Sequence, residues 1–146
     1  MPDLQARLRS DQVAARKAAD KDRTLLLGTV LAALKNRELD GGTALTDAET
    51  VEVIRKQIKQ RRDSIEQYTA AGRTDLAAAE QAELEVLVSY LPPELDPAVI
   101  RAAADAAIAA GATEVGPLMG RLMAQFKGQA DGSVINRIAR EALAAQ

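Results

Sequence analysis

An all-α fold is predicted for this chain, with an N-terminal helical subdomain of about four helices followed by a small three-helix tail domain. Three observations predict it. The hydrophobic fraction is 47% but the aromatic fraction only 2%, so alanine and leucine, which favour helix over strand, must fill the interior. Apolar residues recur at spacings of three and four along most of the chain. The runs are separated by recognisable helix starts and stops.

The elements follow in order. From Leu4 to Ala19, residues Leu4, Leu8, Val13 and Ala15 make a loosely amphipathic run that ends at Asp20-Lys21-Asp22. A second run, Thr24 to Leu39, holds Leu25, Leu26, Leu27, Val30, Leu31 and Leu34 and reads as buried on most sides. Gly41 and Gly42 stop it by admitting left-handed backbone. Thr46 and Glu49 have the spacing of a capping box, in which each side chain satisfies the other residue's amide. The long helix they open, about 47–71, would be roughly 37 Å long at ~1.5 Å per residue. Val51, Ile54, Ile58, Ile65 and Tyr68 form its apolar stripe, and Gly72 stops it. Thr74-Asp75 opens a fourth helix, carried by Leu76, Leu84, Leu87 and Val88 to about Ser89.

Pro92, Pro93 and Pro97 then mark a stiff linker, 91–97, between a subdomain of residues 1–90 and a tail of residues 98–146. Asp96 is placed as an N-cap with Pro97 at the first helical position. That helix runs through Ile100 and Ile108 to Gly111. Gly116-Pro117 starts the next, which holds Leu118, Met119, Leu122, Met123 and Phe126. Asp131 caps the last, with Val134, Ile135, Ile138 and Leu143 facing inward.

Composition narrows the chemistry. Cysteine and histidine are both absent, which removes disulfides, thiol nucleophiles and the commonest general base and metal ligand. The four serines therefore lack an activating histidine, and no phosphate-binding Gly-x-x-x-x-Gly-Lys run is present. The reading is no catalytic residue, no metal and no cofactor. No apolar run is long enough to span a membrane. The Met-Pro-Asp-Leu-Gln start lacks the regions of a secretory leader, so the cytoplasm is the expected compartment. With 19 basic against 21 acidic residues, the net charge of -2 gives no global attraction to nucleic acid. Phe126 is the single phenylalanine and tryptophan is absent, which argues against a base-stacking platform.

Two segments stand above this background. Residues 55–62 hold five cations and no acid; Arg55, Lys59 and Arg62 are spaced to form a ridge that can bind phosphates. The same run reads more readily as a solvated face balanced by Asp63, Glu66 and the acids of 80–85. Arg61 falls within the apolar stripe between Ile58 and Ile65, and an arginine there needs a carboxylate partner, for which Glu80 and Glu83 on the following helix are the candidates. The second segment runs from Met119 to Arg140. Lys127 lies beside a glycine-rich turn and a helix N-terminus, a place that can hold a phosphate unless the Asp131 carboxylate occupies its amides.

At these segments the chain resembles a known family. Lys59-Gln60-Arg61-Arg62-Asp63-Ser64-Ile65-Glu66-Gln67-Tyr68, then Ala71-Gly72-Arg73, Asp75-Leu76, Glu80, Glu83 and Tyr90-Leu91-Pro92, resemble the YqeY family. Met119-Gly120-Arg121 through Gly128, Ala130-Asp131-Gly132 and Asn136 are similar to a tail shared with the B subunit of the glutamyl-tRNA(Gln)/aspartyl-tRNA(Asn) amidotransferase. The resemblance implies a helical part joined to a three-helix tail that grips tRNA. It links the chain to carbon–nitrogen ligase chemistry with glutamine as amide donor, although the catalytic cradle has no counterpart here. It therefore implies a non-catalytic accessory whose partner is tRNA or a tRNA-charging enzyme. The tail positions it implies for RNA contact are Arg121, Lys127, Asn136, Arg137 and Arg140. Gln129 and Ser133 depart from the pattern, standing where relatives commonly carry basic residues. The alternative is a helical protein-interaction adaptor.

Overall fold

The computed structural model describes residues 3–146. Met1 and Pro2, the first residues of the segment read for a leader, lie outside the described residues. Among those described there are seven helices and no strand: α1 (Asp3–Lys17), α2 (Lys21–Gly41), α3 (Asp47–Ala70), α4 (Thr74–Val88), α5 (Pro97–Ala109), α6 (Val115–Gln125) and α7 (Gly132–Ala144). They divide into two compact units, Met1–Leu91 and Pro92–Gln146.

In the first unit α1 pairs with α2 and α3 with α4. The α1–α2 turn closes without glycine. Ala19 adopts φ 57, its N–H bonds to Arg16 O at 3.1 Å, and the Asp20 N–H bonds to Ala15 O at 2.9 Å. This is a Schellman closure with alanine in the left-handed position. Asp20 then caps α2 by accepting from the Arg23 amide at 3.1 Å. The α3–α4 turn uses the same pattern with Gly72 at φ 72, and the Arg73 N–H bonds to Tyr68 O at 2.8 Å. At the head of α3 the Thr46–Glu49 capping box is complete in both directions.

The core of this unit joins Leu8 from α1, Leu27 and Val30 from α2, Ile54 and Ile58 from α3, and Leu87 and Tyr90 from the end of α4. One expectation is corrected here. α2 is not buried on most sides: Leu26, Leu27, Val30 and Leu34 are inside, but Leu25 and Leu39 are each 71% exposed. Neighbours cover only one stripe of the helix, and leucines outside that stripe stay wet. The α3 stripe also changes along its length, with Val51, Ile54 and Ile58 buried and Ile65 and Tyr68 half-buried. Between Ile58 and Leu87 no residue is buried, so the far half of the α3–α4 hairpin is an arm held by its own two helices.

The second unit packs α5, α6 and α7 against one another. Ile100, Leu118, Leu122 and Ile135 are fully buried at its centre, with Phe126 beside them. The alanines Ala104, Ala139 and Ala142 are equally buried, and their small side chains let the three helices approach closely. Asp96 caps α5 through the Ala98 amide at 2.9 Å, ahead of Pro97 in the first turn.

Candidate functional site

The tail residues fall mainly on α7, whose two faces are sharply divided. Ile135, Ile138, Ala139 and Ala142 are buried, while Arg137, Arg140 and Glu141 are exposed. The polar face is internally bonded. Arg140 Nε donates to Asn136 Oδ1 at 2.9 Å, and Arg137 Nη1 lies 3.6 Å from Glu141 Oε1. Arg121 is exposed on α6, and Lys127 is exposed in the turn before α7. That turn is set by Gly128 at φ 76 and the Gln129 N–H to Phe126 O bond of 2.9 Å. The α7 N-terminus is closed to an anion from outside: Asp131 Oδ1 accepts from both the Ser133 amide and the Ser133 hydroxyl at 2.9 Å. Phosphate contact in this unit therefore falls to side chains.

The basic ridge on α3 needs correction. Lys59 and Arg62 are exposed, but Arg55 is half-buried, and its Nε and Nη2 are buried without a hydrogen-bond partner. Position 55 comes one turn after buried Val51, on the flank of the apolar stripe, so its stem lies against the protein. Arg55 therefore does not stand in a solvated row with Lys59 and Arg62.

Arg61 occupies a different environment. Its side chain is 14% exposed, and its Nε lies 3.5 Å from Glu83 Oε2. Its Nη1 donates to Gln57 Oε1 at 2.6 Å and, at 3.4 Å, to the Gln57 carbonyl. Arg61 has no ion pair with Glu80. Burial, and then the neighbouring Glu80 carboxylate, push the Glu83 carboxyl above its ordinary value, while Arg61 pulls it down.

Sequence reasoning missed the long-range polar contacts. Tyr90 Oη donates to Asp11 Oδ2 at 2.5 Å, and the Arg7 guanidinium sits 4.6 Å from the Tyr90 ring centre. Arg37 Nη2 lies 2.8 Å from Glu52 Oε2, tying α2 to α3. Nothing local in the sequence signals these pairs. Among the described residues no group of three or more acidic, histidine or cysteine side chains is placed to hold a metal ion. Nor, among the described residues, is any helix long and apolar enough to cross a membrane.

Comparison with known proteins places the chain in a family. The family described as Yqey-like protein matches residues 5–143. A relative in Pyrenophora tritici-repentis, named altered inheritance of mitochondria protein 41, mitochondrial, is 30% identical over 96% of this chain and 81% of its own length. The protein of the same name in Lachancea thermotolerans is 34% identical over 61% of this chain and 48% of its own. An uncharacterized protein of Schizosaccharomyces pombe is 32% identical over 63% of this chain and 75% of its own. The mitochondrial names overturn the expectation of a cytoplasmic compartment, which rested on the lack of a recognisable leader. Matched over nearly its whole length, the chain belongs to the YqeY family.

Proposed function

We propose that the chain is a non-catalytic accessory that contacts tRNA through its C-terminal unit. The observation that carries this reading is the solvent face of α7, where Asn136, Arg137 and Arg140 form one polar row opposite a fully buried face. Arg121 and Lys127 add exposed cations from α6 and the turn before α7. The similarity of this segment to the amidotransferase tail supports the same assignment. The internal pairs do not prevent it. An exposed i, i+4 ion pair such as Arg137–Glu141 is worth only ~0.3–0.5 kcal/mol, so a phosphate can displace the carboxylate. Six acids against five basic residues from Leu91 onward keep the affinity modest. Three or four phosphate contacts give a log-affinity slope of roughly -2 to -3 against log salt.

Fluorescence anisotropy of labelled total tRNA with the purified protein, across a salt series and with duplex DNA as competitor, tests the reading. Saturable binding that prefers tRNA, weakens linearly in log salt and is lost in Lys127→Glu/Arg137→Glu supports it. A flat signal at low salt, or binding unchanged in that variant, refutes it. A second reading, a protein-docking adaptor, draws on the exposure of Leu25 and Leu39 on α2. In that case the charge reversal leaves partner binding intact and Leu25→Ser/Leu39→Ser removes it. ATP-dependent ammonia incorporation by the purified chain alone would overturn both.

A further inference from the structure

α1 and α2 part along one side to leave a cleft of about 460 Å3, lined by residues that include Gln5, Arg9, Leu31, Leu34, Lys35 and Glu38. That volume lies within the ~300–1,000 Å3 of small-molecule sites. The cleft wall breaks the usual rule for a helix seam. Gln5, Arg9 and Gln12 follow at i, i+4 and i+7 on α1, the spacing at which a packed helix ordinarily presents apolar residues.

Gln5 anchors the arrangement. It is 3% exposed, and both ends of its amide are held. Its Nε2 donates to Glu38 Oε1 at 3.0 Å, and its Oε1 accepts from Arg9 Nη2 at 3.3 Å. One buried amide therefore joins a carboxylate on one side to a guanidinium on the other. Neither charge is saturated. Glu38 receives both Gln5 and the Leu45 amide, at 3.4 Å, on Oε1, which leaves Oε2 open. Arg9 has no bond beyond the one to Gln5, and Lys35 lines the same cleft with no partner among the described residues.

A ligand of one charge suits this site poorly, because an anion meets Glu38 and a cation meets Arg9 and Lys35. A ligand with both charges a few bonds apart satisfies all three groups. We propose that the α1–α2 cleft binds a free zwitterionic α-amino acid, its carboxylate on Arg9 and Lys35, its ammonium on Glu38 Oε2 and its side chain over Leu31. The site belongs to the first unit and stands independently of the tRNA reading.

Saturation-transfer NMR on the full chain, with each common L-amino acid as the probe at millimolar concentration, tests the proposal. At least one amino acid should bind. Its N-acetyl and carboxamide derivatives should each bind about tenfold more weakly, since each loses one charge-assisted contact. Arg9→Gln, Lys35→Gln and Glu38→Gln should produce a similar loss. Arg9 and Lys35 are exposed, so their variants keep the fold, and a thermal melt verifies it. No transfer from any amino acid overturns the proposal, as does equal binding of the blocked derivatives or indifference to Arg9→Gln and Lys35→Gln.

Discussion

Replacing Tyr90 with phenylalanine isolates one bond that fastens the end of α4 to α1. Phenylalanine keeps the buried ring, and a ring face still lies under the Arg7 guanidinium. Only the hydroxyl is lost, with its 2.5 Å bond to Asp11 Oδ2. A hydrogen bond to a charged acceptor contributes ~1.5–3 kcal/mol. The Asp11 side chain is partly exposed and regains water when the hydroxyl goes, which reduces the expected loss to about 1–2 kcal/mol. For a domain of this size that lowers Tm on the order of 5–10 °C. The pH dependence gives a second check. Burial first, then the bond to Asp11, push the Tyr90 phenol above its ordinary value near 10. A group whose value rises on folding stabilises fully below its unfolded value and loses that stabilisation as pH climbs through the folded one. The gap between wild type and Tyr90→Phe should therefore be full at neutral pH and shrink above pH ~10. Urea melts followed by circular dichroism at neutral and alkaline pH measure both. A neutral-pH difference below ~0.3 kcal/mol, within the usual range for substitutions away from special contacts, would refute the reasoning. So would an unchanged gap at alkaline pH.

Other consequences are as direct. Ala19 and Gly72 fill the same left-handed position of the same turn, so exchanging their residue types should give opposite signs. Ala19→Gly should stabilise by a few tenths to ~1 kcal/mol, although glycine normally weakens helical segments, and Gly72→Ala should destabilise by about 1 kcal/mol in thermal melts. A Cβ on Gly72 meets nothing within 4 Å, so the second effect is purely conformational. Leu122→Ala removes a fully buried side chain from the second unit and should cost about 2–5 kcal/mol, enough to abolish that unit's cooperative melt. Arg61→Leu strips the guanidinium from Gln57 and from Glu83, and urea melts should show a loss of about 1–3 kcal/mol at neutral pH. The Glu83 carboxyl is already raised, so its stabilising contribution is full below ~4.5 and falls as pH rises through the folded value. Without Arg61 that value rises further, and the variant should fall further behind wild type from mildly acidic to neutral pH.

Features set within one turn of helix were legible in the sequence. The Thr46–Glu49 box, the Asp96 and Asp131 caps and the Gly72 stop each depend on residues two to four positions apart, and all are present. Features set by the neighbouring element were not. Leu25 and Leu26 are adjacent and chemically identical, yet one is 71% exposed and the other buried, because only the helices packed on α2 decide which stripe is covered. Ala19 gave no warning of a left-handed residue, since its turn is closed by backbone bonds that any sequence can make. Tyr90 and Asp11 lie 79 positions apart, and nothing local connects them.

The cations of 55–62 bear directly on the functional reading. Arg55, Arg61 and Arg62 are the same side chain within two turns of one helix, but their phases differ. Arg55 flanks the apolar stripe and buries part of its guanidinium, Arg61 lies in the stripe between Gln57 and Glu83, and Arg62 is solvated. Recruiting Arg61 to a phosphate would leave Gln57 without its donor and the crowded Glu83 without its ion-pair partner, a cost of about 1–3 kcal/mol before any binding begins. Releasing Arg137 from exposed Glu141 costs less than about 0.5 kcal/mol. Within 55–62, Arg61 is thus a poor phosphate ligand while Lys59 and Arg62 stay exposed, and in the tail Arg137 gives up its exposed partner at little cost.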